Sequence, residues 1–401
     1  MAISEKMIRK LVDEQFPRFV QIRRDFHQHP ELGLAEFATA TKIEQYLHEW
    51  GISATTRVNK TSIIGMITGT KNDNLAIAMR ADIDALPIQE NNNHNYQSVN
   101  NGVMHACGHD VHMTILLGAA YVLQQLRQHL SSCVKLFFQQ AEESVGGAKT
   151  LIAAGALENP NVTHVIGMHV CPKLAVGEFG IKYQHAYAAS DTITLVVYGK
   201  SAHAAAPQDS VDAIVLACNL VNSLQTLISR QISPFATAVL SFGKIWGGRA
   251  HNVIADCVTL QGTLRTLDPK VRHLLKQQLL TVTTQTANGF GGTAKLVIEP
   301  GYDALINDTA TTAVVEQVAR RILGDKAVHV LEQASLGVED FAEFAKKRPA
   351  SYNRLGVANQ EKGIVAPLHN QHFDVDEAAI RHGILIQVMS TLALMGVDVD
   401  D

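Results

Sequence analysis

Three short apolar runs in this chain lead into side chains able to carry a proton or hold a metal. Leu75 to Met79 runs into Arg80-Ala81-Asp82-Ile83-Asp84. Val134 to Phe138 runs into Gln139-Gln140-Ala141-Glu142-Glu143, with Gly146-Gly147 beyond, and Val165 to Val170 carries His169 at its end. Where parallel strands are covered by helices on both faces, ligands sit beyond the strands' carboxyl ends, so these three runs would deliver acids and an imidazole to one edge. A fourth contribution is MHACGHDVHM, residues 104–113, in which Cys107 and His109 stand two apart and, on an extended backbone, would point the same way. Thiolate and imidazole together suit a borderline-soft divalent ion such as zinc. A fifth is His369, in LHNQHFDVDE just before the last helical stretch, with Asp374 as its candidate cap. Cys107, His109, one of the two glutamates, His169 and His369 are too many donors for one tetrahedral ion but fit two divalent metal ions sharing a bridge.

Glu142-Glu143 is the most informative pair. Neighbouring side chains on an extended segment project oppositely, so one carboxylate can hold a metal while the other takes a proton from water. Metal-assisted hydrolysis of an amide needs that combination. Each residue taken singly has an ordinary reading, since 18 histidines make chance neighbours common and Glu-Glu is often a solvated helix start. The case rests on their joint placement. Cys133, Cys218 and Cys257 stand among apolar neighbours and read as packing residues, while His27, His29, His105 and His112 read as structural.

The elements that must position these groups follow from periodicity. Ala2 to Trp50 is helical in spacing, broken near Pro30 and closed by Gly51. Helices at Val111 to Gln128 and Gly147 to Ala154 separate the apolar runs, giving an α/β pattern. Near Ala188 the texture changes. Asp191 to Tyr198, Thr237 to Phe242, Val258 to Thr266 and Ala294 to Ile298 alternate as half-buried strands do, with helices at Val211 to Arg230 and from Asp268-Pro269, a cap followed by a proline at the first helical position. Helical segments resume at Thr312 to Leu323 and from Asp374 to Leu394. The simplest organisation is an α/β domain of residues 1–187 and 298–401 interrupted by an inserted α+β domain, 188–297.

Composition bounds the rest. A chain of 401 residues is long for one core, and 46% hydrophobic with 18% charged residues is far from the composition of disordered chains. Thirty-four Lys and Arg against 38 Asp and Glu leave a net charge of −4, which argues against nucleic acid as a partner. The longest apolar stretches, such as Ile115 to Leu123, fall short of the roughly 20 residues of a bilayer span, so no membrane partner is expected. The first residues mix charges and lack an apolar signal core, and five scattered cysteines argue against a disulfide framework; both make the cytoplasm the expected compartment.

RRDFHQHPELGLAE (23–36), MRADIDALPIQE (79–90), MHACGHD (104–110), QQAEE (139–143), GMHV (167–170), GKSAHAAAP (199–207), NVIAD (252–256), GTLRT (262–266), GVEDF (337–341) and LHNQHFDVDE (368–377) occur in that order. Together they resemble the aminoacylase-like metallopeptidases, in the branch of hippurate hydrolase, auxin-conjugate hydrolases and N-acyl-amino-acid amidohydrolases. The likeness spans nearly the whole chain. It implies a zinc-peptidase-like catalytic domain with a mixed sheet, an inserted ferredoxin-like domain acting as lid and dimer contact, and a homodimer. It implies two divalent ions per subunit (zinc, manganese, nickel or cobalt) on Cys107, His109, Glu143, His169 and His369, with Glu142 as general base. By the same resemblance His203 polarises the scissile carbonyl, and Asn252 and Arg265 grip the substrate's α-carboxylate. The substrate implied is a small N-acyl-L-amino acid, N-acetylated, hippurate-like or indole-acetylated. A dipeptidase or carboxypeptidase, or an N-acetyl-diaminopimelate deacetylase, would use the same centre.

The chain departs from broader relatives in placing Asp82 where a metal-binding histidine is expected, Cys107 taking over that part. Asp84 is kept, as a residue that orients a ligand. A rival of another kind is a thiol hydrolase with Cys107 as nucleophile and His109 as its base; a third is a non-catalytic binding module, which would have no use for a base beside its metal.

Overall fold

A computed structural model of the chain describes residues 3–71 and 74–401, so the expected helical start at Ala2 lies outside the described residues. Ser4 accepts from the Met7 amide and opens α1 (Glu5–Gln28), whose apolar positions Ile8, Val12, Phe19, Ile22 and Phe26 recur at helical spacing and are buried. Then come α2 (Phe37–Glu49), the antiparallel pair β1 (Ala54–Val58) and β2 (Ser62–Ile67), and β3 (Leu75–Asp82). α3 (His109–Gln125) is buried nearly all round. It is followed by β4 (Cys133–Gln139), a short α4 (Ala148–Ala153), the long β5 (Asn161–Ala175) and β6 (Phe179–Ile181).

The chain next builds β7 (Ala189–Tyr198), α5 (Ala213–Arg230), β8 (Ala238–Gly247), β9 (Cys257–Thr266), α6 (Pro269–Gly289) and β10 (Thr293–Pro300). These four strands make an antiparallel sheet in the order β8-β9-β7-β10. Leu216, Leu220, Leu224, Leu275 and Leu279 of the two helices share one buried cluster with Ile193, Leu195, Leu260 and Leu264 of the strands. Asp212 and Asp268 cap the helices from the side chain, Asp268 with Pro269 behind it.

After α7 (Thr309–Leu323), β11 (Val328–Val330), β12 (Ala350–Ala358) and α8 (Ala378–Leu394), the main sheet is complete, with the order β11-β6-β12-β5-β3-β4-β2-β1. It is mixed: β12, β5, β3 and β4 run parallel, β1 and β2 antiparallel. Every residue of β4 is buried, as are all of β3 beyond Leu75, as required of strands covered on both faces. The chain divides into two compact units. One comprises the residues up to Gln184, Ile306–Gln333 and Glu343–Asp401; the other comprises His185–Leu305 with Ala334–Ala342, extending past 188–297 at both ends.

Several local expectations need correction. The strand carrying His169 does not end there but continues to Ala175. Asp374 does not cap the last helix, which starts four residues later behind Glu377; Asp374 instead accepts from Arg23 Nη2 at 3.1 Å. Cys218 is exposed rather than packed, and all five cysteines are free. No helix of the described residues is long and apolar enough to cross a membrane.

Candidate metal centre

β5, β3 and β4 lie side by side and parallel, so their carboxyl ends share one edge of the main sheet. β3 leads into Asp82 and Asp84 there, and β5 carries His169. Beyond β4 the chain turns: Ala141 has φ +55°, and Glu142 and Glu143 sit on the turn that follows, not on an extended segment as their adjacency first implies. Cys107 and His109 also converge by a route other than an extended backbone. Gly108 between them has φ +80° and opens α3, so the cysteine precedes the helix and the histidine is its first residue. A Cβ at Gly108 would run into the Val170 side chain on β5. His369 arrives from far along the chain, with φ +62° and its amide bonded to Ala106 O at 2.8 Å.

The five expected donors meet in the first unit. Cys107 Sγ lies 3.3 Å from His169 Nε2. His369 Nε2 lies 3.1 Å from Glu143 Oε1, which is 3.9 Å from His109 Nε2. Donor atoms of Cys107, His109 and His169 fall within 4.8 Å of one another; so do those of Cys107, Glu143 and His369, and of His109, Glu142 and Glu143. The sets overlap, as two adjacent ions sharing ligands would require. His109 Nε2 is buried and makes no hydrogen bond, and buried Glu143 Oε1, though 3.1 Å from His369 Nε2, makes no well-aligned one. Buried polar atoms left unpaired are costly, and these are the atoms aimed at the middle of the cluster. Sulfur, nitrogen and carboxylate oxygen at this spacing fit borderline-soft divalent ions.

Supports stand behind the donors. His109 Nδ1 bonds Asp84 O at 2.8 Å, and Asp84 Oδ2 accepts the Glu143 amide at 3.0 Å, so one residue fixes two donors. His112 was read as structural, and it has a definite part. Its Nδ1 bonds Asp82 Oδ1 at 2.6 Å while its Nε2 accepts from Val170 N at 2.9 Å, which uses both ring nitrogens and steadies the strand beside His169. Asp82 is occupied on its other oxygen by Arg80 at 2.7 Å. The signal for His112 was its place three residues after His109, on the same helix face.

Electrostatics follow from crowding. Burial would lower His109, but the carboxylates of Asp82, Asp84 and Glu143 outweigh it and hold the imidazole up at about 10. Burial would raise Glu143, but His369 and His109 bring it to about 2. His169 is pushed down to about 3 by burial and the neighbouring His112. Burial and the two adjacent glutamates push the Cys107 thiol well up. A protonated thiol among carboxylates is a poor nucleophile without a cation to draw off its proton, which counts against the thiol-hydrolase rival.

The other expected residues lie in the second unit. His203 is exposed and bridges Val253, and Asn252 O accepts from the Ala204 amide at 3.0 Å, so these two are neighbours. Arg265 sits on β9 opposite Ser190, with a buried Nη1 that has no hydrogen-bond partner.

Known proteins resemble the chain over most of its length. The family model described as peptidase family M20/M25/M40 matches residues 78–391. An N-acetyl-L-cysteine deacetylase of Bacillus subtilis is 39% identical over 364 residues, 90% of this chain and 85% of that one. A thermostable carboxypeptidase of Saccharolobus solfataricus is 34% identical, covering 92% of this chain and 93% of its own. A solved Bacillus subtilis structure, described as a dinuclear metal-binding peptidase, superposes with TM-score 0.84 at 31% identity over 96% of this chain and all of that one.

Proposed function

Because the chain belongs to peptidase family M20/M25/M40, we propose that it is a metal-dependent amidohydrolase that cleaves N-acyl-L-amino acids to a carboxylic acid and an amino acid. Cys107, His109, Glu143, His169 and His369 would hold two divalent ions, with Asp84 orienting His109 and Glu143. When bound, such ions polarise the amide carbonyl and make water more acidic. Glu142, buried and within reach of the donors, takes a proton from water as its oxygen adds to the carbonyl carbon. As the C–N bond breaks, the same carboxyl returns the proton to the leaving amine. The second unit, whose βαββαβ order is that of a ferredoxin-like motif, is read as a lid that handles the substrate. His203 is assigned to the carbonyl oxygen, and Asn252 and Arg265 to the α-carboxylate, for which a guanidinium with an unpaired nitrogen is a suitable bidentate partner.

The observation that carries this reading is the meeting of five donors from widely separated segments, two with buried atoms unbonded, beside one further carboxylate. Metal analysis of the purified protein, followed by amine release from acetyl, benzoyl and indole-acetyl amino acids beside dipeptides, tests it. Faster cleavage of dipeptides would favour the carboxypeptidase or dipeptidase reading, which the similarity to the Saccharolobus enzyme also supports. A metal-free protein inert on the whole panel would overturn both.

A homodimer through the second unit is part of the same proposal. β8 is an unpaired edge of its sheet and presents Ile245 and Trp246, 57% and 50% exposed. Sedimentation should give twice the chain mass, falling to the monomer in Trp246→Lys.

A further inference from the structure

We propose that His27, Glu90 and His94 form a separate site for a zinc-like divalent cation, apart from the five-donor centre. His27 lies on α1, and Glu90 and His94 lie in the segment between β3 and α3. One ligand atom from each falls within 4.8 Å of the others. His27 Nε2 is 3.1 Å from Glu90 Oε1, and His94 Nε2 is 3.2 Å from the same oxygen. Ligands roughly 2.0–2.1 Å from a tetrahedral zinc stand about 3.3 Å apart, so only small shifts would seat an ion.

Three features favour a ligand over a plain hydrogen-bond cluster. Both His94 ring nitrogens are buried, and Nε2, though 3.2 Å from Glu90 Oε1, makes no well-aligned hydrogen bond to it, while the ring is fixed, stacked on Tyr96 with centroids 3.8 Å apart. His27 Nδ1 bonds Asp110 Oδ2 at 2.9 Å, which turns Nε2 toward Glu90 and gives the carboxylate–histidine backing common behind metal ligands. Glu90 is itself fixed: Oε2 takes the Ser98 amide at 2.7 Å, and Asn92 Nδ2 reaches Oε1 at 3.0 Å. Arg23 and Arg24 lie over Tyr96, but Asp110, Asp374 and Glu377 bond them and offset their charge.

Two imidazoles and a carboxylate supply three ligands and leave the fourth position to water. Among the described residues the neighbouring carboxylates Asp110, Asp374 and Glu377 are all bonded to Arg23 or Arg24, which leaves none to act as a base, so the ion's work is to fasten residues 83–108 to α1. Through Asp110 that fastening reaches His109, the neighbouring residue in the first centre.

The test is zinc content of the full chain after gel filtration, with an anomalous difference map at the zinc edge from wild-type crystals. Wild type should show density between His27 and His94. Cys107→Ala/His369→Ala should retain one zinc per chain, and adding His94→Gln should remove it. No anomalous peak at His27 and His94, or zinc content unmoved by His94→Gln, overturns the proposal. Failure of the amidohydrolase reading would look different, with wild type holding only the His94-dependent ion.

Discussion

Glu142 and Glu143 are neighbours in the chain and differ in what surrounds them. Glu143 meets His369 and His109, whereas Glu142 is the more buried of the two and shares a donor set with His109 and Glu143. Removing each member of the centre should therefore have a different signature. Glu142→Ala should keep its metal and lose about 10²–10⁴ in kcat, while Cys107→Ala should lose metal first and activity as a result. Metal content and kcat measured on the same preparations separate the two, and a Glu142→Ala enzyme of normal turnover would remove that residue from the base role. In the proposed reading Arg265 acts on binding. Arg265→Ala should raise KM by about 10–100-fold with kcat little changed, the equivalent of losing about 1.5–3 kcal/mol of charged hydrogen bonding. A fall in kcat at unchanged KM would place Arg265 elsewhere.

At the scale of elements, the turn at Gly108 sets the distance between Cys107 and His109. Its left-handed φ of +80° and its approach to Val170 leave no room for a side chain. Gly108→Ala should cost about 1–3 kcal/mol in urea unfolding and lower metal content, since the strain falls between two donors. A variant as stable as wild type would mean that α3 can start differently. The same turn marks a limit of reading from sequence: Cys107 and His109 do stand together, but not on the extended backbone that their spacing suggests. Apolar runs such as Val134 to Phe138 were legible because both faces of those strands are covered. β12 was not legible, because buried Ser351 and Asn353 interrupt its apolar pattern. Ser351 Oγ bonds Thr312 at 3.0 Å and accepts from Asn353 Nδ2 at 2.9 Å, and such partners cannot be seen along the chain. Arg265 is a further case: its unpaired nitrogen is a property of the fold, and by spacing alone it is a charge on a strand.

At the scale of the molecule, a buried polar network joins α1, the 83–108 segment, α3 and the approach to α8. Arg23 Nε meets Asp110 Oδ2 at 2.7 Å, and His27 links Asp110 to Glu90. Burial would raise Asp110, but Arg23 and His27 hold it below its ordinary 3.8. Burial would likewise raise Glu90, and His27 and His94 hold it below 4.5. Carboxyls depressed by folding contribute stability above their unfolded pKa and lose it as pH falls toward the folded one. In protein stripped of metal, His27 works in reverse. Burial and Arg23 would lower it, Asp110 and Glu90 raise it above 6.5, and its contribution is complete below that value and lost as pH rises through the raised one. Urea midpoints of the metal-stripped protein should therefore fall as pH drops below about 4.5 and decline again on the alkaline side of neutrality. A midpoint flat down to about pH 3 would show that the network does not carry stability.

The sheet order β11-β6-β12-β5-β3 has a consequence for synthesis. β12, residues 350–358, lies between β5 and β6, which leave the ribosome more than 150 residues earlier. Throughout that interval the growing polypeptide holds β5 with one side unpaired and no register to close against. The second unit, made in between, has all four of its strands and can fold while its host waits. A nascent chain halted before residue 350 should thus be the species that chaperones hold and that pairs wrongly with its neighbours.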